Sequence, residues 1–183
     1  LAGNALLTRG FQLLTEMPTA LAESKVAVTD QICQAIGTRG GMIAGQVMDL
    51  EAQGNPYSKS QLKMIHSSKT AALIRASILT PALLLEASPK TCARLSAFGS
   101  QMGLAFQIVD DILDVEGSSK ELGKAAGKDN LQQKATYPAL YGVERSRELA
   151  IELVGKAVEE VSFMGSQGNL LRELARFISV RRF

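Results

Sequence analysis

The 183-residue chain has no tryptophan, a single histidine, two cysteines and five prolines. Each scarcity excludes something. Cys33 and Cys92 are far apart and form no CxxC or Cys/His cluster, so both read as free thiols in a reducing compartment, serving as small core residues. Long apolar runs are also missing. Leu83-Leu84-Leu85 is typical of the longest, far short of a membrane span. No signal-peptide pattern is present. A cytoplasmic location is therefore expected, or the plastid stroma were the gene a plant's. A formal charge of +2 gives no reason to expect nucleic acid or an anionic membrane as partner. Strand signals are nearly absent too: there is no sustained alternation and few β-branched runs. What remains is 46% apolar residues in a length sufficient for a substantial core. That composition predicts a single all-α domain over 1–183.

Apolar periodicity predicts helices at roughly 1–16, 19–36, 40–53, 59–77, 90–114, 136–162 and 167–181. Turns are predicted at Met17-Pro18, Gly54-Asn55-Pro56, Thr80-Pro81, Ser88-Pro89 and Thr136-Tyr137-Pro138. Ser58 and Ser88 suit helix N-caps, the latter with Pro89 in the first turn. Residues 116–138, with Lys120, Lys124, Lys128 and Lys134 among glycines, read as a basic, mobile loop. The opening LAGNALLTRGFQLL starts inside a helical pattern without an N-cap, so further chain is expected before Leu1.

The segment FQIVDDILD sets Asp110, Asp111 and Asp114 into an otherwise apolar helix. Gly103, Gln107 and the three aspartates fall on one stripe, and apolar residues cover the remaining faces. A surface helix has a narrower apolar stripe. A thin polar line on an apolar helix instead suits an interior helix facing a polar cavity. Like charges 4 Å apart near a protein surface repel by about 4 kcal/mol. The aspartates are therefore either solvated or held by a cation. Asp110 and Asp114, one turn apart, can grip a hard cation. Mg²⁺ is favoured over zinc because no Cys or His lies nearby in sequence. A solvated acidic helix end is the plain alternative.

In IHSSKTAALI, Lys69 occupies a position of the apolar series Leu62, Ile65, Leu73 and Ala76. An inward lysine requires an anion, unless its stem snorkels to the surface. His66 shows no partner in sequence and reads as structural or surface. In GMIAGQVMDLEAQG, Gly41 and Gly45 permit close helix packing, and Gln46 and Asp49 share a face as a site pair or a surface pair.

Together, LAGNALL, GMIAGQVMDLEAQG, HSSKTAALIRAS, GLAFQIVDDILDV, ELGKAAGKD and QKATYPALYG resemble, in that order, the trans-isoprenyl diphosphate synthases of the polyprenyl synthetase family. That family includes farnesyl and geranylgeranyl diphosphate synthases. The resemblance implies an isoprenoid synthase-type helical bundle around a central cavity. It further implies Mg²⁺-dependent transfer of an allylic diphosphate's prenyl group to isopentenyl diphosphate, with Mn²⁺ as a substitute, in a homodimer. FQIVDDILD looks like the family's second aspartate-rich motif, so Asp110, Asp111 and Asp114 would bind metal. Lys69, Lys124 and Lys134 would hold the diphosphate. Thr70 and Gln107 match residues beside the developing cation. Gln46 and Asp49 match a polar helix pair, and Asp129 an acidic residue in the metal–water network.

Two departures qualify the match. Asn4 stands where the family usually has Asp, and the family's first DDxxD precedes LAGNALL, so here it would lie before Leu1. Little or no synthase activity is expected of these 183 residues alone, and product length is set upstream. A non-catalytic partner subunit of a heteromeric synthase is the alternative, although a subunit free to lose Lys69, Gln107 and three aspartates has kept them all. A terpene cyclase fits less well, since no NSE-type motif follows the DDxxD.

Overall fold

A computed structural model describes the backbone of residues 1–18, 21–121 and 134–181. Every regular element among them is helical. In chain order these are α1 (Ala2–Glu16), α2 (Ala22–Ile36), α3 (Met42–Ala52), α4 (Lys59–His66), a π-turn (Ser67–Ala71) and α5 (Ala72–Leu84). Then follow α6 (Pro89–Glu121), α7 (Tyr137–Tyr141), α8 (Val143–Glu160), 3₁₀ turns over Ser162–Gly168 and α9 (Asn169–Val180).

The longest helix, α6, forms the axis of the bundle and packs against α5 on one side and α8 on the other. Its inward positions Leu95, Phe98, Met102, Ala105, Ile108 and Ile112 recur at three- and four-residue spacing and are buried. Phe98 and Ile108 are fully buried. Each such side chain stabilises the fold by about 1.5–3 kcal/mol relative to exposure. Leu62 and Ile65 join them from α4, and Ala150, Val154 and Ala157 from α8. The other extreme is α1, in which no residue is buried.

The expected caps form. Ser58 Oγ accepts the Gln61 N–H while the Gln61 side chain accepts the Ser58 N–H, a complete capping box. Ser88 Oγ accepts the Thr91 N–H ahead of α6.

Three boundaries differ from expectation. Thr80-Pro81 does not end a helix: α5 runs through Pro81 to Leu84. Pro81 takes the N–H partner from the Ser77 carbonyl, but both residues are exposed and water can meet that carbonyl; the helix stops instead at Glu86, whose φ is 52°. The single helix expected over 136–162 is broken at Gly142, with φ 79°, into α7 and α8. Helix α6 runs past 114 to Glu121, so the loop expected from 116 begins as helix.

Candidate active site

The π-turn at Ser67–Ala71 is the local event that builds the site. An i→i+5 turn accommodates one more residue than an α-turn, so it rotates everything after it relative to α4. Before the turn, Leu62, Ile65 and His66 are inward; after it, Ala72, Ala76 and Leu79 are, while Leu73 of the expected apolar series is 38% exposed. Lys69 and Thr70 lie on the turn itself.

Two glycines let neighbouring helices close on it. A Cβ on Gly45 of α3 would come 2.2 Å from the Lys69 backbone nitrogen. One on Gly103 of α6 would come 2.6 Å from the Ala71 Cα. One turn beyond Gly45, Asp49 receives the Lys69 ammonium at 2.6 Å. The anion required by an inward lysine is therefore Asp49. The pair is partly exposed, and such pairs contribute about 1 kcal/mol or less to stability.

The three aspartates of α6 separate into two environments. Asp111 is buried: its side chain is 7% exposed and that of His66 5%. Its Oδ2 lies 2.7 Å from His66 Nε2 and accepts the Tyr137 backbone N–H at 3.0 Å. Its Oδ1 accepts from the Gln107 amide at 3.2 Å. Gln107 Oε1 in turn accepts the Thr70 hydroxyl at 2.6 Å. Asp110 points elsewhere, to the Arg181 guanidinium, which also stands 4.4 Å from the Phe106 ring centroid. Burial lowers the pKa of that guanidinium. Asp114, 61% exposed, lies 3.8 Å from Lys134 Nζ.

Tyr137 joins the chain after Lys134 to this network. Its ring centroid is 5.3 Å from that of His66 and 5.6 Å from that of Tyr141. Burial first, then Tyr141 and Asp111, push its phenol up to about 12. The preceding Thr136 caps α7 with its hydroxyl and donates its N–H to Tyr57 Oη at 3.2 Å.

From Lys69 and Thr70 an apolar cleft of about 500 Å³ runs between α5 and α6, past Phe106, Ile74, Ile78 and Met102. A larger cavity of about 660 Å³ lies between α6, α8 and α9, bordered by Ile112, Ala150 and Arg181 among others.

The structure thus brings Lys69, Thr70, Gln107 and Asp111 into one connected set with Asp49, and holds Asp110, Asp114 and Lys134 on the outer side of α6. Gln46 is exposed on α3. Lys124 and Asp129 lie outside the described residues. His66, Tyr137 and Arg181 were missed by sequence reasoning. The signal for His66 was its place three residues before Lys69, beside the inward Leu62 and Ile65.

Among the described residues, no group of three or more His, Cys, Asp or Glu side chains is arranged to hold a metal ion. Asp110 and Asp114 offer carboxylate oxygens alone. That donor set fits Mg²⁺, which takes one or two carboxylates and completes its shell with water and phosphate oxygens.

Known proteins share this architecture. The geranyltransferase of Helicobacter pylori, solved in complex with magnesium and isoprenyl diphosphate, matches with a TM-score of 0.73 and 30% identity, over 96% of this chain and 57% of that one. The polyprenyl synthetase profile matches residues 1–164, and the chain belongs to that family. It is 42% identical over 187 residues to geranylgeranyl pyrophosphate synthase 12, chloroplastic, of Arabidopsis thaliana, covering 99% of this chain and 52% of that protein. It is 36% identical over 183 residues to the farnesyl diphosphate synthase of Bacillus subtilis, covering 99% and 62%. The chain therefore spans half to three fifths of the length of these relatives.

Proposed function

We propose that the protein carrying this chain is a trans-prenyltransferase, joining isopentenyl diphosphate to an allylic diphosphate to give a short-chain farnesyl or geranylgeranyl product. The observation that carries this reading is the convergence of Lys69, Thr70 and the Gln107–Asp111 network at the head of an apolar cleft, with Asp110 and Asp114 outside it. Residues 1–183 are read as one helical domain, the C-terminal portion of a polyprenyl synthetase domain.

Asp110 and Asp114 would hold Mg²⁺, with Mn²⁺ as a substitute. Bound there, the metal supplies positive charge to a departing diphosphate. Lys69 and Lys134 add their own charge to that leaving group, and we assign Lys124 the same role. Each described cation now rests on a protein carboxylate, Lys69 on Asp49 and Lys134 on Asp114. A diphosphate would substitute for those carboxylates at little electrostatic cost. Thr70, backed by Gln107 Oε1, would place an oxygen dipole at the head of the cleft, where preorganised dipoles stabilise charge as it develops. Ile74, Ile78, Met102 and Phe106 surround the prenyl chain and keep water from it. Gln46, Asp49 and Asp129 would order the polar surround.

The exposed apolar residues Leu6, Leu7 and Leu13 of α1 and Met42, Ile43 and Val47 of α3 support a homodimer built on these helices. No helix among the described residues is long and apolar enough to cross a membrane. A cytoplasmic or plastid location fits that finding and the chloroplastic relative.

The test is incubation of the full-length gene product with isopentenyl and allylic diphosphates and Mg²⁺, followed by chromatography of the prenyl products. Asp110→Ala should lower turnover by several orders of magnitude, about 4 kcal/mol or more of transition-state stabilisation. A loss under tenfold would remove the metal role of Asp110.

A further inference from the structure

The buried pair His66–Asp111 does not touch the cleft, yet it terminates a hydrogen-bond chain that does. From the inside outward, the chain runs from the Asp111 carboxylate to the Gln107 amide and on to the Thr70 hydroxyl, and Thr70 lines the cleft. The polarity of such a chain is fixed at one end. A carboxylate only accepts, whereas a carboxamide presents donors on one side and an acceptor on the other. With Asp111 ionised, Gln107 must turn its NH₂ inward, which leaves its oxygen for Thr70. Thr70 must then spend its hydrogen on Gln107, and only lone pairs remain on its oxygen for the cleft.

We propose that His66 and Asp111 are positioning residues that lock this polarity, so that Thr70 presents an electron-rich oxygen to the head of the cleft. This inference rests on the prenyltransferase reading for its purpose, but not for its geometry. His66 and the Tyr137 N–H hold Asp111 in place from the side opposite Gln107. A carboxylate at 2.7 Å from His66 Nε2 requires the hydrogen to reside on that nitrogen. Without the lock, Gln107 can rotate about its terminal bond and Thr70 can turn its O–H outward, setting a positive dipole against a developing cation.

The experiment uses the full-length gene product, ¹⁵N-labelled, with the His66 imidazole signals assigned by their loss in His66→Phe and His66→Gln. In the wild type, the imidazole spectrum should show hydrogen on Nε2, protected from exchange. The Gln107 side-chain amide should likewise be protected. His66→Phe keeps a ring against Tyr137 and removes the donor. It should cut the Gln107 protection by about tenfold or more, the scale of one hydrogen bond to a charged group. His66→Gln, which restores an N–H within reach of Asp111, should recover it.

The second measurement compares binding of an ammonium analogue of an allylic cation with binding of its neutral carbon isostere, each with Mg²⁺ and inorganic pyrophosphate. The wild type should prefer the ammonium compound, and the ratio should fall by about tenfold in His66→Phe and return in His66→Gln. General loosening of the site would weaken both compounds and leave the ratio unchanged.

An Nδ1–H tautomer, unaltered Gln107 protection in His66→Phe, or an unaltered ratio would each overturn the lock. Should His66→Phe not fold, the wild-type tautomer and the His66→Gln spectra decide it. Should the wild type bind neither analogue, the prenyltransferase reading fails, and the amide and imidazole spectra still judge the lock.

Discussion

Asp110 and Asp111 are consecutive residues of one helix, and they face different worlds. A residue step on an α-helix is a rotation of about 100°. That rotation carries Asp111 into the interior against His66, Gln107 and Tyr137, and leaves Asp110 on the outer side against Arg181. Asp111 is fixed by three nitrogen partners that belong to the fold. Asp110 and, one turn on, Asp114 are held by single cations from α9's end and from the segment leading into α7. One aspartate is therefore buried in the scaffold, and two are partly exposed, each against a single cation.

The sharpest way to break that comparison is to remove each in turn and measure stability. Asp111→Ala strands the His66, Gln107 and Tyr137 donors and should cost about 3–5 kcal/mol, as for loss of one partner of a buried pair. Asp110→Ala should cost little by the same denaturant titration. Equal losses would dissolve the distinction.

Gly45→Ala comes next. Its Cβ would meet the Lys69 backbone nitrogen, not a yielding side chain, so about 1–3 kcal/mol should be lost. Binding of pyrophosphate should weaken with it, because the clash pushes the Lys69 backbone, and its ammonium with it, out of place. A fully stable, fully competent variant would mean that the close approach is dispensable.

Lys69→Ala should weaken pyrophosphate binding by about tenfold, measured calorimetrically with Mg²⁺ present, with stability nearly unchanged because the Asp49 pair is partly exposed. Unchanged binding would return Lys69 to the role of a snorkelling surface residue.

The smallest effect concerns pH. The Tyr137 phenol sits above its ordinary 10.0, at about 12 in the folded state. A raised acid favours the protonated fold, so its contribution is intact below pH 10 and is lost as pH rises from 10 through 12. Unfolding titrations should show that alkaline loss in the wild type and a shallower one in Tyr137→Phe. Parallel curves would place the loss on other groups.

Much of this fold was legible in the sequence. The helices rest on apolar spacing, and the caps at Ser58 and Ser88 on local chemistry that tertiary contacts leave alone. Lys69 and Gln107 were legible as well, since each broke an otherwise apolar pattern, whereas Thr70 came only with the family resemblance. What escaped was whatever depends on a partner distant in the chain. His66 acquires Asp111 across 45 residues, and nothing near either names the other. Arg181 reaches Asp110 across 71. Pro81 was over-read because the one carbonyl it orphans, that of Ser77, is exposed to water. Gly142 was under-read because a glycine inside an apolar period looks the same whether its φ is negative or positive. The π-turn escaped for another reason: its five residues carry no composition that an α-helix would refuse.

That π-turn has a consequence for how the protein can change. A gene that lost one codon within 67–71 would encode a straighter and more regularly hydrogen-bonded helix from Lys59 to Leu84. The same loss would swing the two halves of that helix by about 100° relative to each other, turning Lys69 and Thr70 off the cleft or Leu62 and Ile65 out of the core. Regularity and reactivity are opposed in that one turn. A lineage drifting toward a more ideal scaffold would discard its chemistry before its fold.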